Sequence, residues 1–322
     1  MIGQRVGITG AAGFVGRALV ARFRSDGWEI VGLDRVGGDG LHTADLRAPG
    51  AWQRRLAGCA VVVHTAALVS QTGSWDDAWH ANVVATRLVV DAVDPDARLV
   101  HCSSAAVYSA HKPTDVDETW PVRPTGRTYG DTKIASEQVV LAALAAGEAD
   151  AVVVRPGDVY GPGSRPWTDM PVAMLRAGRL VLPARGEGTV DPIFIDDLVT
   201  GVVAAALADA PPSRVYNLSG GGPLPAVDFF AGYSRRLGLP PPRRVPTGIA
   251  LAAAEVIGRA HRWCGRPSEL GAGTVAMLAK TGSISPARAG RELGWTPRVS
   301  LDDGMDRTVA ILTARATSDG RG

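Results

Sequence analysis

One turn constrains this chain more than any other feature. The apolar run Val6-Gly7-Ile8-Thr9 leads into Gly10-Ala11-Ala12-Gly13-Phe14-Val15-Gly16, and a helical pattern continues from Phe14 to Asp26. A strand that turns sharply into a helix needs a residue without Cβ at the turn, which Gly10 supplies. Gly13 lets a ligand approach the backbone, and Gly16 lets the helix pack closely on the strand. The helix N-terminus then offers unpaired N–H groups and a partial positive charge, a natural place for phosphate. A glycine turn alone is weak evidence, but strand, turn and helix stand together here. The spacing predicts a dinucleotide lying along Gly10, Ala12, Gly13, Phe14 and Val15.

An acid ends the second strand pattern. Asp34 closes the run Ile30–Asp34, eighteen residues after Gly16. A carboxylate there accepts hydrogen bonds from both adenosine ribose hydroxyls and repels a 2′-phosphate, so NAD is expected over NADP. Arg35 is the residue type that pairs with a 2′-phosphate, which keeps NADP open as the lesser alternative. Asp45-Leu46 ends the following strand, where an acid can meet the adenine amino group. A helix cap or loop acid is the competing reading of Asp45.

Further β-branched runs follow at Ala60–His64, Arg98–Ser103, Ala151–Arg155 and Val215–Leu218, with helical patterns at Phe14–Asp26, Trp75–Val93 and Thr128–Ala146. The strands are apolar throughout, as parallel strands covered on both faces must be. Alternation of this kind predicts an α/β fold, a Rossmann-type doubly wound parallel sheet. After Tyr160 the run Gly161-Pro162-Gly163-Ser164-Arg165-Pro166 breaks the texture. We expect residues 1–162 to form the dinucleotide domain, with returns near 191–218, and residues 163–322 to form mainly a smaller substrate-binding lobe.

Composition removes several function classes. A net charge of +2 with acids and bases interspersed argues against nucleic acid as a partner. The three cysteines, Cys59, Cys102 and Cys264, form no metal pattern and no disulfide framework, so no metal is expected and a reducing cytoplasm is the simplest setting. Cys59 and Cys102 read as inert small hydrophobes. The N-terminus leads directly into a strand, with no secretion signal expected. The apolar stretch Ile249–Gly258 is about half of the ~20 residues a bilayer span needs, so no integral membrane segment is expected.

The chemistry is carried by Tyr129 and Lys133, four residues apart on one helix face, and by Ser104 at the end of the Arg98–Ser103 strand. A parallel sheet binds ligands at the C-terminal ends of its strands, so these three can meet over a nicotinamide. Hydride transfer at a carbinol carbon requires proton transfer on its oxygen. A free phenol titrates near ~10, too high for an efficient base at neutral pH. The Lys133 cation and an oxidised nicotinamide are expected to lower that value, and Ser104 to donate to the substrate oxygen. His101 reads as a satisfied core histidine, and His111 as a loop residue within reach of substrate.

These elements resemble the extended short-chain dehydrogenase/reductase family, the epimerase/dehydratase-like group. The resemblance covers about residues 5 to 310. It rests on the glycine turn, His64-Thr65-Ala66-Ala67, Asn82-Val83-Val84-Ala85-Thr86, Ser103-Ser104-Ala105-Ala106-Val107-Tyr108, the Tyr129/Lys133 pair, Arg155-Pro156-Gly157-Asp158-Val159-Tyr160-Gly161-Pro162-Gly163 and Leu293-Gly294-Trp295-Thr296-Pro297. It implies that Ser104, Tyr129 and Lys133 are catalytic and that Asn82 supports them. It also implies that His64 to Ala67, with Thr65, Ala66 and Ala67 among them, line the cofactor together with Tyr129, Lys133, Pro156 and Val159. A homodimer through helices around 77–93 and 129–146 is implied as well.

Departures select a branch. Nucleotide-sugar members resemble Arg-x-x-Asn-Val-Tyr-Gly-Pro where this chain has Asp158, an anion expected to repel a diphosphate. They also carry an Arg where this chain has Val190, in Val190-Asp191-Pro192-Ile193-Phe194-Ile195-Asp196-Asp197; Arg185 and Arg288 are the candidates to replace it. The latter segment, Gly265-Arg266-Pro267 and Ile284-Ser285-Pro286 are more similar to the 3β-hydroxysteroid dehydrogenase branch. Candidate substrate contacts are Trp75, Trp167, Met170, Met174 and Trp263. The leading expectation is an NAD-dependent enzyme interconverting a secondary alcohol and a ketone on an apolar, sterol-like or polyketide-like substrate. The alternatives are a nucleotide-sugar 4-epimerase or dehydratase with tightly bound NAD, and a non-catalytic dinucleotide sensor.

Overall fold

Alternate residues of the expected strands point to opposite sides of one sheet, and each side meets its own helices. The strands are β1 (Arg5–Thr9), β2 (Glu29–Asp34), a short β3 (His42–Thr43), β4 (Val61–His64), β5 (Arg98–Cys102), β6 (Asp150–Pro156) and β7 (Val215–Leu218). In this computed structural model they form a seven-stranded parallel sheet in the order β7-β6-β5-β4-β1-β2-β3. The chain runs outward from β1 in one direction through β2 and β3, then in the other through β4. The crevice between the carboxyl ends of β1 and β4 is the switch point where such sheets bind ligands. The structure describes residues 3–38, 40–70, 73–263 and 271–319; Cys264 and Gly265-Arg266-Pro267 lie outside them, and the side chain of Trp263 is likewise not described.

Four helices cover the sheet. Val6, Ile8, Val61, Val63, Val100 and Val152 pack under α1 (Phe14–Ser25) and α4 (Ile195–Leu207). Val31, Val62, Leu99, Ala151 and Val153 pack on the other side under α2 (Trp75–Val90) and α3 (Thr128–Ala145). The period-two alternation of β-branched side chains thus serves two cores at once. Helix α2 is built from Trp75–Trp79, a π-helical turn His80–Val84 and Ala85–Val90, and Ser74 caps it by accepting the Asp77 N–H at 3.1 Å. Helix α3 (Thr128–Ala145) buries Thr132, Lys133, Ser136, Glu137, Val140 and Ala143, a stripe at helical spacing that is polar in its first half.

Beyond Tyr160 the sheet gives way to short ladders. Pro192–Phe194 pairs with Asp158–Tyr160, Leu224–Pro225 with Thr189–Val190, and Arg243–Arg244 with Val181–Leu182. Of the expected return near 191–218, only β7 joins the main sheet. Helices α5 (Ala226–Leu237), α6 (Thr247–Trp263), α7 (Ala272–Leu278) and α8 (Leu301–Asp319) complete this part. Edge-to-face contacts link Tyr160, Phe194, Trp167 and Phe229 to the sheet-side core. Among the described residues, no helix is long and apolar enough to cross a membrane.

Candidate active site

The glycine turn forms the floor of a cleft of about 840 Å³. Gly10 has φ +71°, and a Cβ there would lie 2.7 Å from the Ala66 nitrogen; a Cβ on Gly16 would lie 2.0 Å from the Gly10 carbonyl oxygen. Both positions therefore require glycine. Helix α1 starts at Gly13 with no side chain capping it, which leaves its first N–H groups facing the cleft for an anion. The Asp34 carboxylate is held by two backbone donors, the Ala12 N–H at 3.0 Å and the Val36 N–H at 3.1 Å. That leaves acceptor capacity for a ribose diol. The Ala12 N–H thus orients the Asp34 carboxylate.

The cleft lining brings together Gly10, Gly13, Phe14, Val15, Asp34, Arg35, Asp45, Leu46, Thr65, Ala66, Ala67, Ser104, Tyr129, Lys133, Pro156 and Val159. His64 does not join them. It is buried beneath, with Nδ1 2.7 Å from Thr9 Oγ1 and Nε2 3.0 Å from Thr86 Oγ1. Burial lowers its pKa to about 3, so it is a neutral strut between β1, β4 and α2. Asp45 is engaged by the Arg47 guanidinium at 2.6 Å and the Arg47 N–H at 3.0 Å, and these bonds lower its pKa to about 2. These contacts are those of the loop acid that was the competing reading.

Ser104, Tyr129 and Lys133 converge at the carboxyl end of β5. The Ser104 hydroxyl accepts the Ala106 N–H at 3.1 Å, which fixes its rotamer, and Tyr129 lines the cleft beside it. Lys133 Nζ donates to the Cys102 carbonyl at 2.8 Å, and burial lowers its pKa to about 8. Tyr129 departs from expectation. Burial raises its pKa, outweighing the lowering that the neighbouring Ser104 hydroxyl gives. The lysine ammonium is turned to the end of β5, and the phenol loses water without gaining a cation.

Asn82 is not in contact with the cleft. Its Oδ1 accepts the Leu68 N–H at 2.7 Å, and its Nδ2 donates to Leu68 O at 3.3 Å and to Thr132 Oγ1 at 2.9 Å. It is a positioning residue that ties the segment after β4 to the helix carrying Tyr129 and Lys133. His101 is a half-satisfied core histidine. Its Nε2 meets Ser136 Oγ at 3.1 Å, while Nδ1 has no partner among the described residues. His111 bonds Thr281 at 3.3 Å and lies outside the lining; its neighbours Ala110 and Lys112 line the cleft instead.

Several departures take on a different meaning in three dimensions. Asp158 is not a lone anion: Lys280 Nζ donates to its two oxygens at 2.5 and 2.7 Å, and the Asp191 N–H at 2.8 Å. The expectation that it repels a diphosphate is corrected accordingly. Arg185 and Arg288 do not line the cleft, and Arg288 pairs with Glu118 at 3.2 Å, so neither replaces the arginine absent at buried Val190. Of the expected substrate contacts, Trp167 and Met170 line the cleft. Trp75 stacks on Trp79 at the surface and Met174 packs against the core.

Two features escaped sequence reasoning. Glu137, one turn beyond Lys133, forms a buried ion pair with Arg155 at 2.6 Å and accepts the Ser103 hydroxyl; Arg155 also donates to the Tyr108 hydroxyl at 2.7 Å. This network clamps α3, β6 and the end of β5 beneath the Ser–Tyr–Lys group. Its i,i+4 spacing from Lys133 was the available signal. Lys112 and Lys280, far apart in sequence, had none. Among the described residues, no group of His, Cys, Asp or Glu side chains is arranged to hold a metal.

Comparison with known proteins agrees with this geometry. Residues 6–219 match the model of the NAD dependent epimerase/dehydratase family. A 2-alkyl-3-oxoalkanoate reductase of Stenotrophomonas maltophilia (strain K279a) is 30% identical over 97% of this chain and 100% of its own. A 3beta-hydroxysteroid-dehydrogenase/decarboxylase (isoform 1) of Arabidopsis thaliana is 25% identical over 83% of this chain and 65% of its own. The solved structure of MoeE5 in complex with UDP-glucose and NAD superposes with a TM-score of 0.77 at 26% identity, over 97% of this chain and 99% of that one. The glycine cradle, the backbone-held carboxylate of Asp34 and the uncapped helix end fit the family's cofactor. The chain belongs to the NAD-dependent epimerase/dehydratase family of extended short-chain dehydrogenase/reductase enzymes.

Proposed function

We propose that this enzyme interconverts a secondary alcohol and a ketone on an apolar substrate, with Ser104, Tyr129 and Lys133 as its catalytic group. The observation that carries the reading is the meeting of Ser104, Tyr129 and Lys133 in the lining of one cleft, which Trp167, Met170, Ala276 and Met277 also line. NAD, when bound along Gly10 to Val15 and Asp34, supplies or accepts the hydride. In the reducing direction Tyr129 gives its phenolic proton to the carbonyl oxygen, and the Ser104 hydroxyl donates to that oxygen as charge develops. Burial holds the phenol protonated, the state from which reduction starts. Once the phenolate forms, the Lys133 ammonium, one helical turn away, leaves the Cys102 carbonyl and pairs with it until solvent reprotonates it.

The 2-alkyl-3-oxoalkanoate reductase relative supports a keto substrate with an alkyl body. The MoeE5 complex with UDP-glucose favours the second reading, a nucleotide-sugar epimerase or dehydratase with bound NAD. Buried Val190, and Arg185 and Arg288 outside the cleft, weigh against it, since each missing arginine–phosphate contact forfeits about 2–3 kcal/mol. Loss of the catalytic group would leave a dinucleotide sensor, but all three members are in place. The same reading places the enzyme in a reducing cytoplasm, with the Cys59 and Cys102 thiols raised by burial to about 11 and about 12, and pairs it as a homodimer through α2 and α3. NADH absorbance with a panel of hydroxysteroids, hydroxyalkanoates and UDP-, GDP- and dTDP-sugars tests the reaction. Oxidation of apolar carbinols is expected; turnover of a nucleotide sugar alone would sink the proposal.

A further inference from the structure

The substrate end of the cleft contains a built charge arrangement. Segment 110–116 lies alongside segment 281–285 as an irregular ladder. The Thr281 N–H donates to Ala110 O at 2.8 Å, the Lys112 N–H to Thr281 O at 3.4 Å, the Ser283 N–H to Pro113 O at 3.3 Å and the Val116 N–H to Ser283 O at 3.1 Å. Gly282 makes this approach possible, because a Cβ there would lie 2.1 Å from the Lys112 carbonyl oxygen and its φ is +79°. The ladder fixes Lys112 on one segment and Lys280 at the start of the other, and both line the cleft.

The two lysines are not equivalent. Lys280 is fully engaged: it is paired with Asp158 and lies over the Trp167 ring at 5.2 Å. Lys112 is half-buried, and among the described residues no carboxylate or carbonyl accepts from its Nζ. The charged groups that act on it are Lys280, Asp158 and Asp191. Asp158 is bonded through both oxygens, and Asp191 is buried outside the cleft, accepting from Ser219 Oγ and the Ile284 N–H. Neither turns a free oxygen to Lys112. Burial lowers its pKa to about 8, so the ammonium remains largely charged at neutral pH in a place with little water. A desolvated cation of this kind is stabilised by an anion that a ligand brings.

We propose that Lys112 is a specificity-determining residue that binds a carboxylate carried by the apolar substrate, with the alkyl body against Trp167, Met170 and Met277. The inference rests on the alcohol–ketone reading and narrows it from apolar carbinols to hydroxy and oxo acids. One ammonium with a neighbouring, already neutralised ion pair matches a single charge. A diphosphate brings at least two, and it favours planar guanidinium forks.

Binding to NADH-loaded protein tests this without requiring turnover. Calorimetric titrations compare decanoate, decanol and UDP on the native enzyme and on Lys112→Gln and Lys112→Arg. Decanoate is expected to bind about ten- to a hundredfold more tightly than decanol. Lys112→Gln should erase that preference and Lys112→Arg should restore part of it. Equal binding of acid and alcohol by the native enzyme overturns the proposal, as does an acid preference that survives in Lys112→Gln or tightest binding of UDP. A glutamine variant that fails to bind NADH is discounted, and the native acid-to-alcohol ratio then decides. If carbinols are not oxidised yet decanoate binds through Lys112, the reaction assignment fails and the carboxylate site stands.

Discussion

The two ends of the cleft are built from different materials. The cofactor end is backbone: a glycine turn, a helix N-terminus, and a carboxylate fixed by two main-chain N–H groups. The substrate end is side chain: an ion pair, a half-buried lysine and an apolar wall, brought together from segments near 110, 158, 167 and 280. Backbone recognition tolerates almost no added atom and gives little selectivity beyond the dinucleotide. Side-chain recognition can be rewritten residue by residue, which is how one fold serves many substrates.

The sharpest test of this division falls where the ends meet. Tyr129→Phe should reduce kcat by about a hundred- to ten-thousandfold while NAD affinity stays within about twofold, because the lost group moves a proton and holds no phosphate. Steady-state rates with a fluorescence titration of NADH check this, and retained turnover would dissolve the Ser–Tyr–Lys assignment. At the cofactor end, Gly16→Ala should cost about 1–3 kcal/mol or more of stability and weaken NAD, since the new methyl meets the Gly10 carbonyl. Thermal melts with and without NAD measure both. At the substrate end, Met170→Ala should raise KM by about tenfold with NAD affinity unchanged, a purely local loss of apolar contact. A comparable fall in NAD affinity would show that the two ends are not separable.

The smallest effect is in pH. Lys133 has a folded pKa lowered to about 8 from 10.5, so between these values the unfolded chain binds the proton that the folded chain has released. Stability from this group therefore rises with pH across that window, and its burial penalty is full below it. The melting temperature of the native enzyme should gain on that of Lys133→Met as pH is raised from about 8 to about 10. Comparing the two proteins at each pH cancels the opposing effect of the Cys59 and Cys102 thiols, which are raised by burial. A gap that does not change with pH would mean that Lys133 is hydrated.

The same division explains what could be read in advance. Strands of buried β-branched residues announce themselves locally, so the sheet and its switch point follow from the runs at Val6, Ile30, Val61 and Leu99. Gly10, Gly16 and Asp34 are equally local, as is the spacing of Tyr129 and Lys133. Asp158 was visible as a charge, but its meaning depended on Lys280, which is 122 residues away and joined to it only by folding. The phenol of Tyr129 was misjudged for a related reason. Spacing placed Lys133 beside it, whereas the carbonyl of Cys102 decides where the ammonium points. Glu137 stood out by no pattern of its own and Arg155 only as a strand end; the closed structure makes them one buried clamp.

The π-helical turn His80–Val84 has a geometric consequence of its own. An α-helix advances about 100° per residue, so a turn holding one extra residue re-phases everything before it against everything after it. Asp77, Ala81 and Ala85 line the cleft before, within and after that turn, while Thr86, Val89 and Val90 bury themselves against the sheet. Deleting a single residue between His80 and Val84 would rewind the helix and swing Trp75 to Trp79 by about a quarter of a revolution. A length change of one residue, with no change of side-chain chemistry, would then re-aim the rim of the cleft.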